Sequence, residues 1–239
     1  MQLLPVWIAS ALINAALILP ASRIPLLTPA GWLHAWILGS VLGASLGWRG
    51  WLAVVLYLVL GSAVTKLGFE RKAQLGLAEA RGGRRGPENV WGSAATGTVL
   101  ALLYLLPGAP QAVLLSGFCA SFAAKLADTC GSEIGKRWGR TTVSLTRWQV
   151  VEAGTEGAVS LEGTAASLVG AVLFSCISCS LGLISWDELA AISAIAWIAS
   201  LLESLIGAEL QPRLSWLSNE GVNGLMTLIA ALLAMALVR

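Results

Sequence analysis

Histidine is nearly missing from this chain: there is one among 239 residues, His34. It lies in an apolar stretch, far in sequence from every cluster of acids. A histidine base or an imidazole-held zinc therefore finds little support. Charge is scarce too. Only 12% of residues are Asp, Glu, Lys or Arg, about half the roughly 25% of a soluble domain, which excludes an ordinary water-soluble globule. The four cysteines give no metal framework. Cys176-x-x-Cys179 has the spacing of half a zinc or redox motif, but it lies in an apolar run with no second pair, so packing is the expected role. There is no G-x-x-x-x-G-K-[ST] loop and no kinase or hydrolase signature set, so any nucleotide is held without a Walker loop. A net charge of +2 gives no reason to expect nucleic acid as a partner. A basic segment ahead of the first apolar run is lacking as well, so Met1 to Ser22 reads as a first membrane helix, not a signal peptide.

Apolar residues are abundant. They make up 56% of the chain, and the mean hydropathy is +0.77. The composition predicts an all-α membrane protein: one polytopic helical bundle spanning 1–239. Membrane helices need about 17–25 mostly apolar residues. Eight such runs are expected, with seven possible, at about 3–20, 30–47, 50–66, 92–107, 110–128, 157–182, 188–206 and 221–238. Two polar loops are long, at about 67–91 and 129–156. They hold Arg71, Lys72, Arg81, Arg84, Arg85, Lys136, Arg137, Arg140 and Arg147. Alternating spans add Arg23 and Arg213 to the same face and leave Arg49 and Arg239 opposite. That asymmetry predicts cytoplasmic long loops.

Four polar clusters stand at the mouths of these spans. Asp128 closes the fifth span and is followed by Gly131, Glu133, Gly135, Lys136 and Arg137. A glycine-rich turn with cations suits a phosphate, and a neighbouring carboxylate suits Mg²⁺. The plainer reading is a solvated loop that sets topology. Glu162 carries an acid into the sixth span, where it faces the bundle interior or a wet cavity, or more plainly glues helices as a neutral hydrogen-bonded group; Glu156, six residues earlier, suits the loop or first turn. Glu203 lies in the seventh span, followed by Asn219, Glu220 and Asn223; the two asparagines share a helix face. Last, Arg81-Gly82-Gly83-Arg84-Arg85 offers forked donors on a flexible support, either as a phosphate clamp or as a positive-inside loop. A faint internal echo pairs Gly92-Ser93-Ala94-Ala95-Thr96 with Gly163-Thr164-Ala165-Ala166-Ser167; helix packing explains it equally well.

Asp128-Thr129 through Gly135, Gly154 through Thr164 (with its Ser160-Leu161-Glu162-Gly163-Thr164 element), Asn219-Glu220-Gly221-Val222-Asn223 and Arg84-Arg85-Gly86-Pro87 resemble the membrane phytyl-phosphate kinase family of tocopherol biosynthesis. The resemblance covers about residues 65–235. More distantly, Asp128-x-x-Gly131 with Gly135-Lys136 is similar to the corresponding segment of CTP-dependent polyprenol, phytol and diacylglycerol kinases. Gly154-Thr155-Glu156-Gly157 matches a later segment of theirs but lacks its preceding basic residue.

The resemblance implies γ-phosphate transfer from CTP or another nucleotide to an isoprenyl monophosphate, with Mg²⁺ as cofactor. Asp128, Glu133 and Glu162 are the expected catalytic and metal residues. Lys136, Arg137, Arg84 and Arg85 are expected to bind phosphates. Gly131, Gly135 and Gly163 would allow close approach, and Asn219 and Asn223 would line the cavity. The isoprenyl tail would lie among the helices, in contact with membrane lipid. A phosphate acceptor is already anionic near pH 7 (second pKa about 6), so it needs positioning more than a base. Alternatives are a polyprenol kinase, a CTP-dependent cytidylyltransferase, or a transporter of an anionic lipid or metabolite. Transport predicts a polar path to the far face, where the loops offer little beyond Asp187 and Glu188.

Overall fold

In a bilayer each backbone N–H and C=O must be satisfied within its own segment, so apolar runs close into helices. Proline and glycine punctuate them. In the computed structural model, which describes residues 3–155 and 157–237, the helices are α1 (Leu3–Ala21), α2 (Pro29–Ser45), α3 (Gly47–Lys66), the short α4 (Phe69–Gln74), α5 (Pro87–Leu103), α6 (Gln111–Trp138), α7 (Leu161–Ser180), α8 (Leu189–Leu210) and α9 (Asn219–Leu237). Pro29 and Pro87 each sit in a first turn, where a missing N–H costs nothing. Thr28 caps α2, its Oγ1 accepting from Gly31 N at 3.0 Å, and Ser160 caps α7, its Oγ accepting from Gly163 N at 3.1 Å.

Eight long helices thus match the eight expected runs. Among the described residues, α1, α3, α6, α7, α8 with the turn before it, and α9 are long and apolar enough to cross a membrane. Helices α2 and α5 have 17 residues each, the short end of the spanning range. The largest differences from expectation are at the start of α5, at the end of α6 and in the second long loop. Helix α5 begins five residues before the expected 92, at Pro87. Helix α6 runs ten residues past 128, through Trp138. The second long loop, expected as a polar connection over 129–156, contributes two strands, and the expected start of the sixth span a third, to an antiparallel sheet, β2-β1-β3, from β1 (Thr142–Ser144), β2 (Gln149–Val151) and β3 (Ala158–Ser160). Glu156 lies outside the described residues.

Helix α6 is the axis of the bundle: 83% of its apolar stretch is buried, against 6% for α1. It packs on α3, α5, α7, α8 and α9. At its middle, Phe122 meets Phe118 of the same helix, Tyr57 of α3 and Phe174 of α7, with ring centroids 5.1 to 6.1 Å apart. Helix α1 lies at the edge against α2. Asn14 is buried there; it donates to Trp36 O at 2.8 Å and accepts from Trp51 Nε1 at 3.0 Å. Pairing those groups removes the cost of an amide inside the bundle.

The extension of α6 has a packing cause. A Cβ on Gly163 would stand 2.7 Å from Gly131 O, and one on Gly170 would stand 2.9 Å from Leu126 O. These glycines let α6 and α7 approach to backbone contact. The expected glycine-rich turn after Asp128 is therefore replaced by a continuous helix. The interface outweighs the helix-breaking tendency of glycine, about 1 kcal/mol per residue.

Candidate functional site

The connections α1–α2, α3–α5, α6–α7 and α8–α9 fall at one end of the alternating helices. A cavity of about 380 Å³ opens there. Ten of the twelve expected site residues line it: Asp128, Gly131, Glu133, Gly135 and Lys136 of α6, Gly163 of α7, Asn219 and Asn223 of α9, and Arg84 and Arg85 from the α4–α5 connection. Glu162 and Arg137 do not. Glu162 turns to the α6–α7 connection, where it accepts from Arg140 N at 3.3 Å. Arg137 lies over the Trp138 ring at 4.7 Å and packs against Gly68.

Lys125 bridges two of the helices that line the cavity. Its ammonium donates to Asp128 Oδ2 at 2.6 Å and to Asn223 Oδ1 at 2.9 Å. The three groups tie α6 to α9, and all of them line the cavity. With a spacing of three residues, Lys125 and Asp128 sit on one helix face. A lysine inside an apolar run is itself the signal in the sequence that marks this residue as part of a polar site.

Glu133 has a different employment. It forms an ion pair with Lys72 of α4, and both side chains are almost wholly buried, at 3% and 0% exposure. Lys72 also donates to Thr65 O at 2.9 Å. A carboxylate held this way anchors α4 to α6. The three acids Asp128, Glu133 and Glu162 are therefore not gathered around one point. Among the described residues, no three acids, histidines or cysteines form a metal-ligand group.

Further cations and acids line the cavity from the helix ends and the α4–α5 connection. Lys136 donates to Glu79 at 3.0 Å. Burial pushes the Glu79 carboxyl up, but the Lys136 charge and hydrogen bond, helped by Lys125, hold it below the usual carboxylate range. Arg81 pairs with Glu88 and donates to Asn89 Oδ1 at 2.9 Å, and Asn89 Nδ2 donates to Glu220 at 3.0 Å. Arg85 turns inward: it donates to Tyr57 Oη at 2.7 Å, with its guanidinium 5.2 Å from the ring centroid. Pairing with the α1–α2 connection fixes this segment, since Arg85 N donates to Leu26 O and Thr28 N donates to Arg85 O, each at 3.0 Å.

Charges of both signs meet in this cavity. Arg81, Arg84, Arg85, Lys125 and Lys136 supply positive charge. Glu79, Asp128, Glu133, Glu203 and Glu220 supply negative charge. Mg²⁺ in phosphoryl-transfer sites is held by one or two carboxylates together with substrate phosphates, not by an all-protein cage. Asp128 in a cavity with several cations fits that donor set, whereas a cage of three carboxylates does not fit.

The sequence matches the integral membrane protein family DUF92 over residues 12–231. It is 45% identical over 234 residues to the uncharacterized membrane protein sll0875 of Synechocystis sp., covering 97% of this chain and 91% of that one. It is 41% identical over 227 residues to "Protein VTE6, chloroplastic" of Arabidopsis thaliana, covering 92% of this chain and 68% of that one. An uncharacterized membrane protein of Methanocaldococcus jannaschii, MJ0933, is 29% identical over 227 residues, or 94% and 91% of the two chains. No solved structure matches. The family resemblance read from the motifs is thus carried by nearly the whole chain, first sixty residues included: this protein belongs to the DUF92 family of integral membrane proteins.

Proposed function

We propose that this protein is a membrane phosphotransferase that moves the γ-phosphate of CTP, or of a similar nucleoside triphosphate, onto an isoprenyl monophosphate such as phytyl phosphate. The product is the isoprenyl diphosphate used in tocopherol or quinone synthesis. The observation that carries this reading is the cavity itself: five cations and Asp128 converge where the helices of a membrane bundle end. The similarity to Protein VTE6, chloroplastic, and the motif resemblance to phytyl-phosphate kinases support the same reading. The basic connections at this end face the cytoplasm under the positive-inside rule.

In the proposed reaction an oxygen of the acceptor phosphate attacks the γ-phosphorus. The bond to the β–γ bridging oxygen breaks, and the nucleoside diphosphate leaves with that electron pair. Positioning and charge neutralisation do most of the work in such a transfer. Arg85, braced by Tyr57, presents a fixed fork to a phosphate. Lys136 and Arg84 supply charge nearer the opening. Lys125 holds Asp128 and Asn223 in register. Mg²⁺, when bound through Asp128 and the nucleotide phosphates, would offset the charge that builds on the transferred group.

The test is product analysis with labelled nucleotide. Label from the γ-position appearing in the isoprenyl diphosphate supports the kinase. Cytidine and the α-phosphate appearing in the product would identify a cytidylyltransferase instead. Label in a monophosphate made only from the free alcohol would identify an alcohol kinase.

A further inference from the structure

A second pocket, of about 410 Å³, lies beside the first, and Arg84 lines both. Its other walls come from the α1–α2 connection and the start of α2, with Arg23, Ser22, Ile24, Pro25 and Trp32 among them. Its chemistry is unlike that of the main cavity. Five carboxylates line the main cavity and none lines this pocket. Two guanidinium groups, Arg23 and Arg84, border it, and among the described residues neither is in an ion pair. The remainder is largely apolar.

A mixed acid and cation site suits a nucleotide with its metal. A site with two guanidinium groups, no acid and apolar walls suits an anion carried on a hydrocarbon tail, bound without a metal. The backbone holds it in place. The two hydrogen bonds between Arg85 and the Leu26–Thr28 segment fix Arg84 against this connection. Apolar side chains beside it face outward: Ile24 is 52% exposed, and α1 buries only 6% of its apolar stretch.

We propose that this second pocket receives the phosphate of the isoprenyl monophosphate, with Arg23 and Arg84 as its ligands and the tail lying along α1 and α2 in the bilayer. The proposal rests on the kinase reading above. Arg84 then stands between acceptor and donor, and Arg23 is a binding residue for the acceptor alone.

The test measures binding without turnover, on the full chain in detergent. The probes are geranylgeranyl monophosphate, geranylgeraniol, phosphatidic acid and inorganic phosphate, with CTP measured in parallel. Losing one charge-assisted fork weakens binding by about tenfold or more. Arg23→Gln is therefore expected to raise the dissociation constant for geranylgeranyl monophosphate by about tenfold and to leave CTP binding unchanged. Arg23→Lys is expected to fall between wild type and Arg23→Gln, because a point charge replaces the fork. Equal geranylgeranyl monophosphate binding by wild type and Arg23→Gln would overturn the proposal. So would a parallel loss of CTP affinity, or phosphatidic acid or inorganic phosphate binding as tightly as the isoprenyl phosphate. Arg23-dependent acceptor binding in a wild type that transfers no γ-phosphate would keep the pocket and remove the kinase reading.

Discussion

Lys125 and Asp128 stand one turn apart on α6, with the ammonium 2.6 Å from the carboxylate and a second donor reaching Asn223 on α9 at 2.9 Å. The pair is shielded, at 11% and 15% side-chain exposure. Breaking a shielded pair on one side leaves the other charge without compensation, at about 3–5 kcal/mol. Lys125→Met is expected to lower thermal stability in detergent and to abolish transfer. Lys125→Met with Asp128→Leu is expected to recover much of the stability and none of the activity. Recovery of activity in the double variant would remove both residues from the mechanism.

Glu133 and Lys72 invite a parallel experiment with a different expected outcome. The pair is buried, and it joins residues 61 positions apart. Lys72→Met is expected to destabilise by about 3–5 kcal/mol, and Lys72→Met with Glu133→Leu to restore most of that. If Glu133 serves only to anchor α4, the double variant keeps substantial activity. Complete loss of activity in a stable double variant would return Glu133 to the list of metal or substrate ligands. The readouts are melting temperature and initial rate on the same preparations.

The glycines of the α6–α7 crossing separate packing from ligand approach. An alanine at 163 would place its Cβ 2.7 Å from Gly131 O, while one at 135 would meet Ser160 Oγ at 3.4 Å, ordinary contact. Gly163→Ala is expected to cost about 1–3 kcal/mol through overpacking. Gly135→Ala is expected to be neutral or slightly stabilising, by up to about 1 kcal/mol from helix propensity. A stable Gly135→Ala protein with raised KM for nucleotide would show that Gly135 admits a ligand to the helix backbone.

The Glu79–Lys136 contact gives a pH signature. The Glu79 carboxyl titrates below its usual range because Lys136, 3.0 Å away, more than offsets the effect of burial. A folded value below the unfolded one means that the stabilisation is complete above the unfolded value, about 4.3, and is lost as pH falls through the folded one. The amplitude is small, since Glu79 is about half exposed and solvent screens the pair. Melting temperatures measured from neutral pH down through that window are expected to fall less steeply for Glu79→Gln than for wild type. Identical slopes would show that the pair contributes nothing to the fold.

The spans were legible because hydropathy over 17 or more residues is a strong and local signal. The grouping of Asp128, Lys136, Arg84, Arg85, Asn219 and Asn223 at one end was legible too, since alternation of spans carries all six to the same face. What the sequence concealed was long-range or cooperative. The continuation of α6 through Gly131 and Gly135 depends on Gly163 and Gly170 of α7, on the far side of the α6–α7 connection. Lys72 looked like one more topological cation and proves to be fully buried against Glu133. Lys125 was hidden within an apolar run, and its partner Asn223 lies 98 residues on. The short sheet at 142–160 has strands of only three residues, too brief to give an alternating pattern.

The most direct test of the central claim is transfer from γ-labelled CTP to phytyl monophosphate by the purified protein with Mg²⁺, beside Asp128→Asn. The account predicts label in phytyl diphosphate from wild type. It also predicts a rate lower by about 100-fold or more in an Asp128→Asn protein that melts within a few degrees of wild type. Folded wild-type protein that moves no γ-phosphate to phytyl or geranylgeranyl monophosphate, or an Asp128→Asn variant with the wild-type rate, would contradict it.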